Sequence, residues 1–504
     1  MGYFMEDSPS NIEAGRATDG IQDSAARKWP NVMTFNRILP ALVFLLAACF
    51  MLLQTPCVGV SDILDFWRVM KPAGIEHIET PTYPGYYVQC TFKTGPPDLC
   101  SLPSSSAVLA FFSRGFSFFG AETGFMDLRQ IGLLYVLLLT VVLATAGLCG
   151  LPVLEVWLVS FIALDPSYLL FFNSFYADPS LFVALIGGYC WFRWNDRKFD
   201  GPRIQRSSVL PSANQAVVVS VLLMLCIIGG ASKMQYVTFP LAVLLSLIVL
   251  LVAGPSFRSR VAVFLSIAVL AIAVAVAWNF FFGPGPRFLK YNNYNAVFGG
   301  IAEAASNSDE ALAELGISAE HRGLPRTDIW SAGMVNTHAV HDELSRLSRF
   351  QLASEYCSDP RAIWFVYTRI CTDLSKTTGH PRGNMIRPSS DTGPKKRVFE
   401  YPLQHSKTIR RAYSWSITSL STLFFLAALV PFAVRPRYLS TSLFLLGWIG
   451  SQFVVAVLGE GFVNLHQHLI GARLGVDLLA LQLTVVVVTA IVEHIRPTRE
   501  MRGA

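Results

Sequence analysis

Strongly apolar runs recur along the whole 504-residue chain, and this recurrence restricts the possible folds more than any other feature. A helix of roughly 20 apolar residues crosses the roughly 30 Å of hydrocarbon in a bilayer, because each residue adds about 1.5 Å. The composition agrees, since 52% of the residues are hydrophobic and 15% are charged, against about 25% charged in soluble proteins. We therefore predict an all-α polytopic membrane protein rather than several soluble domains.

The apolar runs predict ten transmembrane helices. The fourth is short for a span, which a tilted or partly buried helix would explain. The predicted spans cover residues 38–56, 130–149, 151–170, 179–192, 209–230, 236–253, 261–282, 413–434, 438–458 and 469–492.

Clusters of Lys and Arg predict the orientation, because basic residues near span ends are retained in the cytosol. Arg27, Lys28 and Arg37 precede the first span, and further basic clusters follow the fourth, sixth, eighth and tenth. All five clusters fall on one side if both termini are cytosolic. The net charge of +6 is explained by this bias, so we predict no nucleic-acid partner.

This topology divides the chain into alternating membrane and aqueous regions. We expect an interfacial helix near 104–125, an Ala/Glu-rich helix near 296–315, two helices split at Asp359-Pro360, and a loop over 379–398. The predicted regions are a flexible cytosolic tail at 1–36, a membrane domain at 37–282 that contains spans 1–7 and a first outer loop at 57–128, a large extracytoplasmic region at 283–411, spans 8–10 at 412–493, and a cytosolic tail at 494–504.

Two polar clusters fall on the predicted outer face. The turn "NSFYADP" places Asn173, Tyr176 and Asp178 within six positions beside lipid, where an ionisable group is costly and therefore a functional candidate. A structural turn is the alternative. In "GVSDILDFWRVMKP", Asp62, Asp65 and Arg68 follow at intervals of three, so a continuing helix would place them on one face. A solvated, self-paired helix end is the alternative there.

Further charged residues lie near the outer ends of spans. Lys233 stands alone between two apolar runs, and it either neutralises an anion or reaches out to the interface. Arg473 lies four residues before Asp477, so an internal ion pair is the simpler explanation. Glu460, His466 and His468 form a third outer group. The spacing of the two histidines does not fit a helix-borne zinc site, so we predict hydrogen bonding to a ligand and no metal.

The nine cysteines divide between the two environments. Cys49, Cys149, Cys190 and Cys226 lie in or beside spans as small buried side chains. The outward cysteines could form disulfides in an oxidising compartment. The local pairings among them are Cys90 with Cys100 and Cys357 with Cys371, while Cys57 has no local partner.

Three stretches carry a resemblance to a known family. These are "SDILDFWRVMKPAGI", "LLFFNSFYADPS" and "NLHQHLIGARLGVDLL", spread from the first span to the last. They resemble stretches of the bacterial WsfD-type glycan-biosynthesis hexose transferases. That family is similar to the C superfamily of polytopic membrane glycosyltransferases.

The resemblance implies a hexosyltransferase in the bacterial cytoplasmic membrane. It would move a sugar, with inversion, from a polyprenyl-phosphate donor to an envelope glycan or glycolipid at the outer face. It places a catalytic carboxylate in the first outer loop, and Asp65 fits this position better than Asp62. The loop departs from the superfamily because it has no adjacent acidic pair. No cofactor is required, and the need for a divalent metal stays open.

The remaining polar groups would bind the substrates. The phosphate needs cations, for which Arg68, Lys233 and Arg473 are the candidates. Asn173, Tyr176, Asp178, Glu460 and His466 complete the predicted binding residues. Two other function classes remain open: a glycolipid transporter or flippase, and a non-catalytic component of an envelope polysaccharide assembly complex. The chain has no evident internal repeat, and this disfavours a transporter.

Overall fold

The computed structural model describes residues 29–55, 57–60, 62, 65–78, 88–98, 104–115, 123–198, 213–253, 268, 271, 288–324, 326, 340–376, 438–463 and 465–500. Most of two predicted spans, 261–282 and 413–434, lies outside these ranges. Also outside these ranges are Cys100, the loop predicted at 379–398 and most of both predicted tails. Only residues 29–36 of the first tail and 494–500 of the second are described.

Helices dominate the described residues. The first half of the chain contains α1 (Trp29–Leu52), α2 (Trp67–Ala73), α3 (Ser105–Ser113), α4 (Leu128–Leu148), α5 (Val153–Ala163), α6 (Pro166–Leu169), α7 (Asp178–Lys198), α8 (Ala213–Ser232) and α9 (Phe239–Ala253). The second half contains α10 (Phe288–Ala296), α11 (Ala302–Ala304), α12 (Ser308–Glu314), α13 (His341–Ser345), α14 (Arg349–Ser358), α15 (Pro360–Lys376), α16 (Leu439–Glu460), α17 (Leu465–His468) and α18 (Ile470–Glu500).

Four helices are long and apolar enough to cross a membrane: Thr34–Leu52, Leu128–Leu148, Leu439–Glu460 and Ile470–Val492. The third predicted span is broken, because α5 and the segment Pro166–Phe172 meet at 58°. Asp165 caps the second piece by accepting a hydrogen bond from the backbone N–H of Ser167 at 2.8 Å. The prediction of a helical membrane protein is confirmed, whereas the number of ten spans stays a prediction.

Helix α7 occupies the centre of the bundle. It packs against α4, α8, α16 and α18, and almost every side chain from Asp178 to Asp196 is buried. A helix that is apolar on all sides is stable only when it is surrounded. The predicted fourth span therefore looks short because polar residues at both ends of α7 are buried within the protein.

Helices at the periphery of the bundle expose large apolar side chains. Leu46 and Phe50 on α1 are 70% and 76% exposed, and Met224 on α8 is 64% exposed. Side chains of this kind would be unfavourable in contact with water but are suited to lipid. The exposed face of the bundle thus supports its placement in a membrane.

A small sheet qualifies the all-α prediction. Strands β1 (Ile75–His77), β2 (Thr91–Thr94) and β3 (Phe125–Asp127) form an antiparallel sheet in the order β1-β2-β3. Each strand has only three or four residues. Strands this short carry too little alternation of polar and apolar residues to be recognised in a sequence.

A short helix with an exposed apolar face lies within the region predicted to form an interfacial helix. The side chain of Ser104 caps α3, which ends well before residue 125. Phe112 on α3 is 61% exposed. Arg114, just after α3, donates a 2.6 Å hydrogen bond to the carbonyl oxygen of Ala73 at the end of α2. This contact connects α3 to α2.

The second half of the chain adds a helical lobe whose core is continuous with the ends of α16 and α18. The predicted break at Asp359-Pro360 is confirmed, because α14 ends at Ser358 and α15 starts at Pro360. The predicted helix at 296–315 is instead interrupted. A π-helical segment, Val297–Ile301, precedes α11, and Asn307 caps a new helix, α12.

Asn173 holds the C-terminal end of α1 in place. Its side-chain Nδ2 donates hydrogen bonds to the carbonyl oxygens of Leu52 and Val58, both at 2.7 Å. Two glycines make room for it. A Cβ at Gly132 would lie 1.8 Å from Oδ1 of Asn173, and one at Gly59 would lie 2.1 Å from its carbonyl oxygen. Asn173 therefore joins α1, α4 and the turn before α7.

We predict that Gly132→Ala destabilises the protein by roughly 1–3 kcal/mol, the range for overpacked interiors, because the added methyl group overlaps the Asn173 amide. The measurement is the apparent Tm in detergent, followed by size-exclusion chromatography after heating. Gly450→Ala is the control, since its Cβ would have no other heavy atom within 4 Å. An equal Tm for the two variants would contradict the assigned role of Asn173.

Candidate functional site

Aromatic rings bring the two predicted polar clusters together. Phe66, next to Asp65, meets Tyr176 with ring centroids 5.0 Å apart and Phe175 with centroids 5.6 Å apart. Phe175 also packs on Phe92 of β2, at 4.8 Å. Edge-to-face pairs of this kind are specific in geometry as well as apolar. They fix the first outer loop against the turn that precedes α7.

Asp62 organises this loop. Its Oδ1 accepts hydrogen bonds from the backbone N–H groups of Asp65, at 3.0 Å, and Phe66, at 3.1 Å. Its Oδ2 lies 2.9 Å from Nε2 of His77 on β1. The Asp62 carboxylate thus has partners on both oxygens. These contacts suit a group that positions the loop better than a free base.

Both ring nitrogens of His77 face hydrogen-bond acceptors. Gln89 donates through Nε2 to the carbonyl oxygen of Thr91 at 2.8 Å, so its Oε1 faces Nδ1 of His77 at 2.8 Å. With Asp62 on Nε2, both ring nitrogens must carry a proton to donate. Burial opposes the charge, but the hydrogen bonds to Asp62 and Gln89 raise the pKa of His77 above its usual value.

Asp65 remains accessible. One carboxylate oxygen lies 3.3 Å from Nη2 of Arg68, and about a third of the Asp65 side chain is exposed. An ion pair at this exposure contributes little to stability, roughly 0–1 kcal/mol. The pair therefore orients Asp65 without burying it, so a substrate hydroxyl could reach the carboxylate.

Positively charged side chains lie near Glu460 at the C-terminal end of α16. His468 on α17 donates or shares a proton with Glu460, its Nε2 lying 2.8 Å from Oε2. Lys233 and Arg68 both lie within electrostatic range of the same carboxylate. Residues from α2, the α8–α9 turn and the α16–α17 turn therefore lie within electrostatic range of one carboxylate.

The helical lobe contributes Arg349 to this cluster. Arg349 is 95% buried, and its Nη2 makes a 3.4 Å contact with the carbonyl oxygen of Gly459. Its Nη1 has no hydrogen-bond partner among the described residues. Burial lowers the pKa of Arg349 to about 10, and attraction to Glu460 opposes this shift. The side chain thus stays charged at neutral pH and has hydrogen-bonding capacity to spare.

Lys233 also connects the cluster to Asp178. Its Nζ lies 5.9 Å from the ring centroid of Tyr236, and the Tyr236 hydroxyl donates to Asp178. Asp178 itself is 97% buried, and Tyr236 lies between it and Lys233. We define the cation pocket as Arg68, Lys233, Arg349, Glu460 and His468.

Four other predicted site residues have positions of a more structural kind. Asn173 is the buried clamp described above, and Tyr176 packs between aromatic rings. Arg473 is buried, donates to the carbonyl oxygen of Leu374 at 2.7 Å and pairs with Asp477 at 3.2 Å. His466 lies on α17 with His468, but the contact to Glu460 is made by His468. Their roles in substrate binding stay predictions.

Sequence reasoning did not single out Arg349, His77 or Gln89 for the site. Arg349 is 111 positions from Glu460, and no local motif links the two. His77 and Gln89 come together only through the sheet. Among the residues that the structure describes, no group of three His, Cys, Asp or Glu side chains could hold a metal ion.

We predict that the His77–Asp62 pair makes stability depend on pH. Because the folded-state pKa of His77 is raised, the pair contributes fully below about 6.5. The contribution is lost as pH rises through the folded-state pKa. The measurement is the apparent Tm in detergent from about pH 6 to about pH 9. His77→Gln and Asp62→Asn should both flatten the decline. A wild-type decline retained in either variant would contradict the pairing.

Comparison with known proteins adds one result. The family described as YfdI N-terminal transmembrane domain matches residues 25–502, nearly the whole chain. No curated protein and no solved structure matches. The match does not test the narrower resemblance to WsfD-type transferases, which stays a prediction. Because the match covers both membrane parts and the helical lobe between them, the chain belongs to the YfdI N-terminal transmembrane domain family.

Proposed function

We propose that the protein transfers a hexose from a polyprenyl-phosphate donor to an envelope glycan at the outer face of the bacterial cytoplasmic membrane. The observation that carries this proposal is the position of an accessible carboxylate, Asp65, beside the cation pocket. Arg68, Lys233 and Arg349 lie near the two carboxylates of Glu460 and Asp65, so positive charge is in excess by one. Such an excess favours an anionic ligand.

The arrangement of α7 supports the proposed sidedness. Asp178 and Asp196 are about 27 Å apart, because 18 residues of helix rise about 1.5 Å each. Asp178 lies at the end near the cation pocket. Arg193, Arg197 and Lys198 lie toward the other end, where the positive-inside rule puts the cytosol. We therefore retain ten spans, cytosolic termini and an outer site as the proposed topology.

The donor would bind with its phosphate in the cation pocket. Lys233 and Arg68 offer charge near the membrane surface, and Nη1 of Arg349 offers a buried donor with no partner among the described residues. Hydrogen bonds from charged groups to phosphate are strong, especially where water is excluded. Glu460 and His468 would hold the cations apart when the donor is absent.

In the reaction, Asp65 would act as general base. It would take the proton from an acceptor hydroxyl while that oxygen forms a bond to the anomeric carbon of the sugar. The bond from this carbon to the phosphate oxygen breaks, and polyprenyl phosphate leaves with the electron pair. The cation pocket would stabilise the charge that develops on the phosphate. Attack opposite to the leaving group inverts the anomeric configuration.

We predict that Asp65→Asn lowers the transfer rate by about 10²-fold to 10⁴-fold, the usual contribution of a general base. The assay is sugar transfer from radiolabelled polyprenyl-phosphate hexose to acceptor in proteoliposomes. Asp98→Asn is the matched control, because Asp98 is a similarly exposed carboxylate paired with Lys71 on the helix that carries Arg68. Unchanged transfer in Asp65→Asn would reject the base assignment. Donor translocation without transfer by the wild type would identify a flippase instead.

We predict that Lys233→Ala and Arg68→Ala each weaken binding of polyprenyl phosphate about tenfold or more, because each removes a charged partner worth roughly 1.5–3 kcal/mol. The measurement is the Kd of the sugar-free lipid phosphate in nanodiscs. Lys71→Ala is the control, since its side chain is 67% exposed and its ion-pair partner is Asp98. Equal Kd values for all three variants would remove the cation pocket from the donor site.

A further inference from the structure

Two cysteines of the first outer loop meet in space. Cys57 lies five residues after the end of α1 and is buried, while Cys90 lies just before β2 and is half-buried. Both the thiol and the backbone N–H of Cys57 donate hydrogen bonds to Sγ of Cys90. The two sulfur atoms are therefore neighbours, although 33 positions separate them in the sequence.

The surroundings prepare one of the two sulfurs for reaction. The hydrogen bond from the Cys57 thiol lowers the pKa of Cys90, and the backbone N–H of Cys57 and the nearby Arg129 guanidinium act in the same direction against burial and Asp127. The same hydrogen bond raises the pKa of Cys57. Thiol exchange proceeds through the thiolate. Cys90, which is also the more exposed sulfur, is thus suited to attack first.

We propose that Cys57 and Cys90 form a disulfide in the protein as it exists in the cell membrane. The oxidant is a disulfide of a thiol exchange protein in the oxidising compartment. The Cys90 thiolate attacks one sulfur of that disulfide and releases its other sulfur as a thiolate. The Cys57 thiolate then attacks Sγ of Cys90 and releases the second sulfur. Two electrons and two protons pass from the cysteines to the oxidant, which leaves as a dithiol.

This bond would close the part of the chain that carries the candidate site. Asp62, Asp65, Arg68 and His77 all lie between Cys57 and Cys90. The carbonyl oxygen of Cys90 already accepts a 2.7 Å hydrogen bond from the backbone N–H of Leu128 at the start of α4. The disulfide would therefore tie the outer ends of α1 and α4 to the sheet. Cross-links of this kind mainly restrict the unfolded chain.

The inference rests on the proposed outer position of this loop, because a cytosolic loop would keep its thiols reduced. It does not depend on sugar transfer. It also differs from the local pairing of Cys90 with Cys100 that sequence spacing suggested, since the described contact of Cys90 is with Cys57. Cys57 and Cys90 are free thiols in this structure, as are the exposed Cys357 and the buried Cys371.

The test is disulfide mapping of the full-length protein from native membranes. Free thiols are blocked with N-ethylmaleimide before solubilisation, and tryptic peptides are compared with and without reduction. Cleavage after Arg37, Arg68, Lys93 and Arg114 places Cys57 in 38–68, Cys90 in 69–93 and Cys100 in 94–114. Because 38–68 also contains Cys49, the mapping is repeated in Cys49→Ala.

We expect peptides 38–68 and 69–93 to be linked in both proteins and released by reduction. Cys100→Ser should keep the link, whereas Cys57→Ser should expose Cys90 to the maleimide. Maleimide on both Cys57 and Cys90 of the wild type, or a 69–93 peptide linked to 94–114, would overturn the proposal. If Cys57→Ser does not fold, the peptide maps of the wild type and of Cys100→Ser still test whether Cys57 is linked to Cys90. A transfer assay without activity would leave this result unaffected.

Discussion

Charges within an apolar bundle must find partners, and this constraint shapes the whole molecule. The cost of removing an ion from water is several kcal/mol or more unless an opposite charge and hydrogen bonds compensate. At one end of α7, Arg193 contacts both carboxylate oxygens of Glu155 at 2.7 and 3.1 Å, and Tyr189 adds a third hydrogen bond. Nearby, Asp196 accepts hydrogen bonds from the backbone N–H groups of Ser440 and Thr441 at the start of α16. Both carboxylates are satisfied within the protein, whereas Nη1 of Arg193 is buried without a hydrogen-bond partner among the described residues.

The balance of charges differs at the Asp178 end of α7. There Arg68, Lys233 and Arg349 lie within electrostatic range of Glu460, so three cations face two carboxylates when Asp65 is counted, and Nη1 of Arg349 is buried without a partner among the described residues. Natural proteins leave few buried donors unused. An arrangement of this kind is typical of a site that a ligand completes. The difference in charge balance is the main physical argument for proposing function at this end, because Arg193 lies near two carboxylates, Glu155 and Asp196, whereas cations are in excess near Glu460.

Part of the site could be read from the sequence, because isolated charges beside apolar runs are conspicuous. Arg68, Lys233 and Glu460 were predicted on that basis, and the structure brings them together. Only the family resemblance favoured Asp65 over Asp62 in the sequence, and the contact that sets Asp62 apart depends on His77 and the sheet. Nothing in the sequence indicated that Arg349 belongs to the site, because an arginine at the start of an ordinary helix is expected at the surface. Asn173 stood out correctly as an unusual residue, but its fully satisfied Nδ2 serves the packing of α1.

The sequence by itself determined the class of protein, the apolar segments and the break at Asp359-Pro360. These features follow from composition and local conformational preference, which act over a few turns of chain. Only the tertiary structure decided which polar residues meet, that Cys57 lies beside Cys90, and that α7 is central. Such pairings join positions tens to hundreds of residues apart, and the packing of helices and the closing of a small sheet select them rather than any local pattern.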